Sequence, residues 1–98
     1  MPRKKLSDSD VEAALTTLPG WSFKGDKLFR EYKFADFTHA FAFMAGAATF
    51  IQQMDHHPEW FNVYGTVRVE LTTHDLGGIT SMDTKLAGLL ETLASKLI

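Results

Sequence analysis

The chain has 98 residues, 45% hydrophobic and 12% aromatic, which fits one globular domain spanning residues 1–98 and excludes a disordered chain. Its formal charge is −2, and no basic face follows Arg3-Lys4-Lys5, so residues 1–5 read as a flexible, solvated tail and direct nucleic-acid binding is not expected. The absence of cysteine excludes disulfides, thiolate metal sites and cysteine nucleophiles; with no apolar run of roughly 20 residues and no signal-peptide pattern, the expected location is cytoplasmic, off the membrane.

Ser7 can cap a first helix, with Leu6 as a hydrophobic staple. Val11, Ala14, Leu15 and Leu18 form its apolar stripe, and Pro19-Gly20 stops it. Residues 21–24 and 27–34 read as two strands of a hairpin turning at Gly25-Asp26. Arg30, Tyr32 and Phe34 alternate with Phe29, Glu31 and Lys33, so both faces of the second strand are expected to be partly covered.

Asp36 reads as the cap of the longest helix, Phe37 to Met54. Its apolar residues Phe37, Ala40, Phe41, Met44, Ala47, Ala48, Phe50, Ile51 and Met54 cover more than the usual stripe of roughly 100°. Phe43, with Ala42, Ala45 and Gly46, extends this coat around the axis. Such a helix in so small a domain predicts two buried faces, one on its own sheet and one on another subunit. An exposed apolar patch of that size is unusual on a soluble monomer.

Pro58 halts any continuation, and residues 60–64 and 67–73 read as a second hairpin around Gly65-Thr66. Val67, Val69 and Leu71 alternate with Arg68, Glu70 and Thr72, the period of a strand with one wet face. Gly77-Gly78 is a turn. Thr80-Ser81-Met82-Asp83 then opens a last helix with a capping-box-like start, followed by Leu86, Leu89, Leu90, Leu93 and Leu97. The order α-β-β-α-β-β-α predicts an α+β domain: a four-stranded antiparallel sheet with three helices on one face.

Three of the four histidines bracket the second hairpin. A two-residue turn at Gly65-Thr66 would pair Tyr64 with Val67, Trp60 with Leu71 and His57 with His74, bringing the two ends of the hairpin together. His56 then lies between a helix end and a strand start, where irregular backbone builds pockets. Imidazole exchanges protons near neutrality, so convergence of His56, His57 and His74 points to acid–base chemistry. His39, inside the long helix, reads as a surface residue, Trp60 and Phe61 as core, and Asp83 as a helix-start carboxylate. Asp75 has no evident structural task. Three histidines can also hold zinc, but adjacent His56 and His57 seldom point the same way and no familiar ligand spacing occurs, so no metal is expected. No nucleophile elbow and no phosphate-cradling glycine loop is present.

The run His56-His57-Pro58-Glu59-Trp60-Phe61-Asn62-Val63-Tyr64, then Thr73-His74, then Asp83, resembles the pterin-4a-carbinolamine dehydratases. So does the helix start Phe34-Ala35-Asp36-Phe37 with Ala40-Phe41-x-Phe43-Met44, and the similarity covers residues 6–97. The resemblance implies dehydration of a 4a-hydroxytetrahydropterin to quinonoid dihydropterin, which recycles the cofactor of aromatic amino acid hydroxylases. It also implies that His56, His57 and His74 share the acid, base and positioning roles, while Asp55, Thr72, Thr73 and Asp75 help hold the pterin, in part through backbone groups. The pterin is the substrate, and no separate cofactor is implied. Many relatives carry an acidic residue four positions before His56, where this chain has Gln52. An amide there can orient an imidazole but adds no charge.

The resemblance further implies a homo-oligomer, a homotetramer in preference to a homodimer. Some animal members bind a homeodomain transcription factor, and related domains occur outside hydroxylase pathways. The alternatives are therefore a non-catalytic pterin-binding, dimerisation or regulatory protein, and an accessory of molybdopterin metabolism.

Overall fold

The computed structural model describes residues 4–98, so Arg3 and the rest of the first three tail residues lie outside the described residues. Ser7 forms the expected cap: its hydroxyl accepts from the Asp10 amide at 3.1 Å, and the Asp10 carboxylate reaches back to the Ser7 amide. Helix α1 covers Asp8–Leu15 and ends before Leu18. The hydroxyls of Thr16 and Thr17 bond back to the Ala13 and Ala14 carbonyls at 2.6 and 2.9 Å, competing with a further helical turn.

Four strands, β1 (Ser22–Lys24), β2 (Lys27–Lys33), β3 (Glu59–Val63) and β4 (Thr66–Leu71), form one antiparallel sheet in the order β1-β2-β4-β3. The helices α1, α2 (Phe37–Met54) and α3 (Ser81–Ser95) pack on one face of it. Leu28 and Tyr32 from β2 and Val67, Val69 and Leu71 from β4 are fully buried with Ala40, Phe43 and Ala47 of α2 and Leu86, Ala87, Leu90 and Ala94 of α3. Among the described residues, no helix is long and apolar enough to cross a membrane.

A polar hub ties Trp21, just before β1, to β2 and α3. Oε1 of Glu91 accepts from Tyr32 Oη at 2.7 Å, Trp21 Nε1 at 3.0 Å and Arg30 Nε at 3.4 Å, and the Arg30 guanidinium lies over the Tyr32 ring. Burial, and then the bond to Glu91, push the Tyr32 phenol well above its ordinary pKa.

The first hairpin turns at Gly25-Asp26 as expected, Gly25 taking a positive φ of 64°. The second does not turn at Gly65-Thr66. Val63 pairs with Thr66, so the turn residues are Tyr64 and Gly65, and Tyr64 itself adopts the left-handed region with φ 49°. Two contacts fix this. The Asn62 side-chain amide donates to the Tyr64 and Thr66 carbonyls at 3.0 and 2.8 Å, and Gly65 lies so close to Phe34 that a Cβ would strike the Phe34 carbonyl. Trp60 consequently faces Val69 instead of Leu71, and His57 and His74 are not cross-strand partners. The slip is an even number of residues, so every side chain keeps its expected face.

Helix α2 turns to the sheet a residue, Phe43, that the sequence places on the flank of its apolar coat. Phe43 lies in the core, its ring centroid 5.1 Å from Tyr32 and 5.2 Å from Phe34, while the outward groups are Phe37 and Phe41, each about half exposed. Phe61 is also outside the core, half-exposed on the helix-free face of the sheet beneath the Arg68 guanidinium. Phe43→Ala removes a fully buried ring and is expected to cost about 3–5 kcal/mol of folding stability, read as a lowered urea midpoint at unchanged slope.

Candidate active site

The site begins where α2 ends. Asp55 adopts the left-handed conformation (φ 50°, ψ 44°), and the last turn closes with His56 N donating to Ile51 O and Asp55 N to Gln52 O. This is the paired ending of a Schellman motif, with aspartate where glycine is commonest. It reverses the chain at once and turns His56 inward, leaving it only 8% exposed.

His56 meets Asp83, which is fully buried. His56 Nε2 donates to Asp83 Oδ1 at 2.5 Å. The other carboxylate oxygen, Oδ2, accepts from Thr73 Oγ1 at 2.8 Å and from the Thr80 amide at 2.9 Å. Thr80 Oγ1 accepts from the Met82 amide and is 2.8 Å from Thr73 Oγ1, so it can donate onward to Thr73. Asp83 is therefore both the third residue of the α3 capping box and the anchor of His56.

After β4 the chain does not continue as strand to Thr73. Thr73 makes an isolated bridge with Gly78, and the residues between them form a 3₁₀ turn, His74–Leu76, closed by Gly77 at φ 66°. This turn raises His74 and Asp75 at the rim of a depression of about 310 Å³ that is also lined by Asp55, His56, His57, Pro58, Glu59, Thr72 and Thr73. His56, His57 and His74 thus line one cleft, although helix ends and a 3₁₀ turn assemble it, not a continued ladder.

The residues within the cleft differ in how they are held. His74 is exposed, and its Nε2 donates to Glu59 Oε2 at 2.7 Å. His57 is exposed, its Nε2 lying 3.8 Å from the Asp55 carboxylate, which is almost wholly in solvent. The hydroxyl of Thr72 donates to the Asp26 carbonyl at 2.7 Å, that of Thr73 is committed to Asp83 and Thr80, and the Thr73 amide and carbonyl are bonded to Gly78 and Leu76. Gln52 lies outside the cleft lining, beside Ala48, Thr49, Phe50 and Gln53 on the outer side of α2. His39 is outside it too, bonded to its own helix cap Asp36 at 2.6 Å.

Two carboxylates that spacing alone does not assign to the site hold imidazoles in it, Asp83 on His56 and Glu59 on His74. Asp83 is hidden behind its capping role; the useful signal is a threonine, Thr73, directly before His74 and able to bond the same box. Glu59 is the one charged residue of β3 and, apart from its place in the His-His-Pro-Glu-Trp run, carries no signal short of the fold. Among the described residues, no group of three or more His, Cys, Asp or Glu side chains is arranged to hold a metal ion.

Comparison with known proteins identifies the family and the fold. The family model described as pterin 4 alpha carbinolamine dehydratase matches residues 4–93. A protein of Solibacter usitatus, provisionally named a pterin-4-alpha-carbinolamine dehydratase, is 54% identical over 91 residues, covering 93% of this chain and 96% of its own. A crystal structure from Brucella melitensis, described as a transcriptional coactivator/pterin dehydratase, superposes with a TM-score of 0.91 at 42% identity, covering 93% of this chain and 99% of the other. A pterin dehydratase-like RuBisCO assembly factor of the alpha-carboxysome shares the fold at TM-score 0.63 and 21% identity, over 76% of this chain and 86% of its own. The chain belongs to the pterin-4a-carbinolamine dehydratase family.

Proposed function

We propose that this protein dehydrates a pterin 4a-carbinolamine to the quinonoid dihydropterin, with His56, His57 and His74 sharing the proton transfers and pterin positioning. The observation that carries this reading is that the three imidazoles line one cleft, two of them donating Nε2–H to a carboxylate. A neutral imidazole that donates through Nε2 keeps its lone pair on Nδ1, and Nδ1 becomes the atom available to a bound substrate.

The reaction needs little more. The C4a–O bond breaks as a protonated imidazole donates to the departing hydroxyl, which leaves as water. A neutral imidazole takes the proton from a ring N–H, and that bond's electron pair forms the new C=N. The two imidazoles have then exchanged protonation states, and solvent restores them. Asp55, Thr72, Thr73 and Asp75, which line the same cleft, hold the pterin's polar edge. The pterin is the substrate, no metal or cofactor takes part, and a reductase can consume the product for aromatic hydroxylation. The expected setting is cytoplasmic.

Assembly belongs to the same reading. Phe37 and Phe41 on α2, and Phe61, Val63 and Tyr64 on the edge strand β3 and its turn, leave apolar surface exposed. A closed homo-oligomer, a tetramer in preference to a dimer, would cover it. The same surfaces, with the coactivator description of the Brucella relative, support a second reading, a non-catalytic pterin-binding, dimerisation or regulatory protein. An accessory role in molybdopterin metabolism is a variant of it.

Turnover of 4a-hydroxytetrahydropterin by purified protein separates the two readings. His56→Ala and His74→Ala should each lower kcat at least about tenfold with unchanged circular dichroism, and near-native rates in both would remove these histidines from the chemistry. Protein treated with a chelator and desalted should keep full activity; loss on chelation with recovery on added zinc would replace this mechanism with a metal-dependent one. Phe41→Asp, outside the core, should lower the assembly state in light scattering, whereas a stable 11 kDa monomer for the unaltered chain would end the oligomer expectation.

A further inference from the structure

His74 stands on a short 3₁₀ turn with 69% of its side chain exposed, so packing does little to fix its ring. Glu59 does more. Its Oε2 accepts from His74 Nε2 at 2.7 Å, and its Oε1 accepts from Lys27 Nζ, also at 2.7 Å. Lys27 opens β2 and Glu59 opens β3, with β4 between them, so the ammonium reaches across an intervening strand. That reach has an electrostatic cause. Glu59 faces Glu70 directly across the β3–β4 pair, where like charges repel, and Lys27 interacts with both carboxylates. The hydrogen bond to Glu59 is the main cause of a raised Lys27 pKa; reciprocally, Lys27 first and His74 second hold Glu59 below the usual carboxylate range. Glu59 is therefore an ionised carboxylate, able only to accept.

We infer that Lys27 and Glu59 are positioning residues for His74, fixing its ring orientation and keeping the neutral tautomer with hydrogen on Nε2 and the lone pair on Nδ1. This role rests on the dehydratase reading above and adds the first hairpin to the machinery of the cleft. Exposed ion pairs contribute little to stability, so the pair should register in rate rather than in melting. A small displacement of a proton-transfer group can cost up to about a hundredfold.

The test uses the full chain with Glu59→Ala, Glu59→Gln and Lys27→Met, each alone and the first also in a His74→Ala background. Glu59→Ala should lower kcat roughly tenfold, with KM and melting temperature nearly unchanged. Glu59→Gln, whose amide oxygen still accepts from Nε2, should recover most of that loss, and Lys27→Met should lose less than Glu59→Ala. In the His74→Ala background, Glu59→Ala should cost nothing more, because the residues act as one unit. Ring ¹⁵N spectra of neutral His74 should show the Nε2–H form in the unaltered protein and a new Nδ1–H fraction in Glu59→Ala. Full kcat in Glu59→Ala, an undiminished loss without His74, or an unchanged tautomer would overturn the inference. If the unaltered protein turned over no carbinolamine, the proposed function would fail, yet the nitrogen spectra need no substrate and would still decide whether Glu59 sets the tautomer.

Discussion

The Asp83 carboxylate ties three separate stretches of the chain to one another by hydrogen bonds. One oxygen receives His56 from the end of α2; the other receives Thr73, just beyond β4, and the backbone amide that starts α3. Asp83 has no exposure to solvent and its donors little or none, so water does not readily replace a lost partner. A buried polar group deprived of its partner costs about 1–3 kcal/mol, so the arrangement holds together or fails as a set. The helix cap is thus built from the same atoms that aim an imidazole into the cleft. Local folding at the start of α3 and the geometry of the site are one constraint, and the left-handed turn at Asp55 is what delivers His56 to it.

Much of the fold is legible because its signals are local. Ser7, Asp36 and Thr80 announce the three helices through side-chain chemistry that acts over three residues, and the strands alternate against one apolar face. Three things escape that kind of reading. The register of the second hairpin depends on Asn62 bracing Tyr64 in the left-handed region and on Gly65 touching Phe34, a residue more than thirty positions earlier. The short α1 depends on two threonines turning back on their own helix. The facing of α2 cannot be read from its composition, because a helix apolar all round gives no direction. Only contact decides that Phe43 meets Tyr32 and Phe34 while Phe41 points outward.

The site divides in the same way. His56, His57 and His74 are legible as a group from their clustering around one hairpin, even though the pairing that first relates His57 to His74 is not the one the chain adopts. Their convergence survives the register slip because it rests on where α2 ends and where the 3₁₀ turn rises, both marked in the sequence by Pro58 and by Gly77-Gly78. The carboxylates behind the imidazoles are not legible. Asp83 is 27 residues from His56 and Glu59 is 15 from His74, and each has a sufficient local explanation, one as a cap and the other as a charge on an edge strand. A residue with one good local reason gives no hint of a second.

The cleft holds imidazoles by one device at two depths. His56 is buried and its carboxylate is locked by a helix cap; His74 is in solvent and its carboxylate is steadied by a lysine from another strand. For the proposed dehydration this difference is useful. The acid and the base leave each turnover in exchanged protonation states and must be reset by water, which an exposed imidazole reaches freely and a buried one does not. Rigid placement is cheapest where the core supplies it, at His56; rapid exchange is cheapest at the rim, at His74. A rim residue loses packing as a source of order, and the Lys27–Glu59 pair supplies orientation there without closing the ring off from solvent.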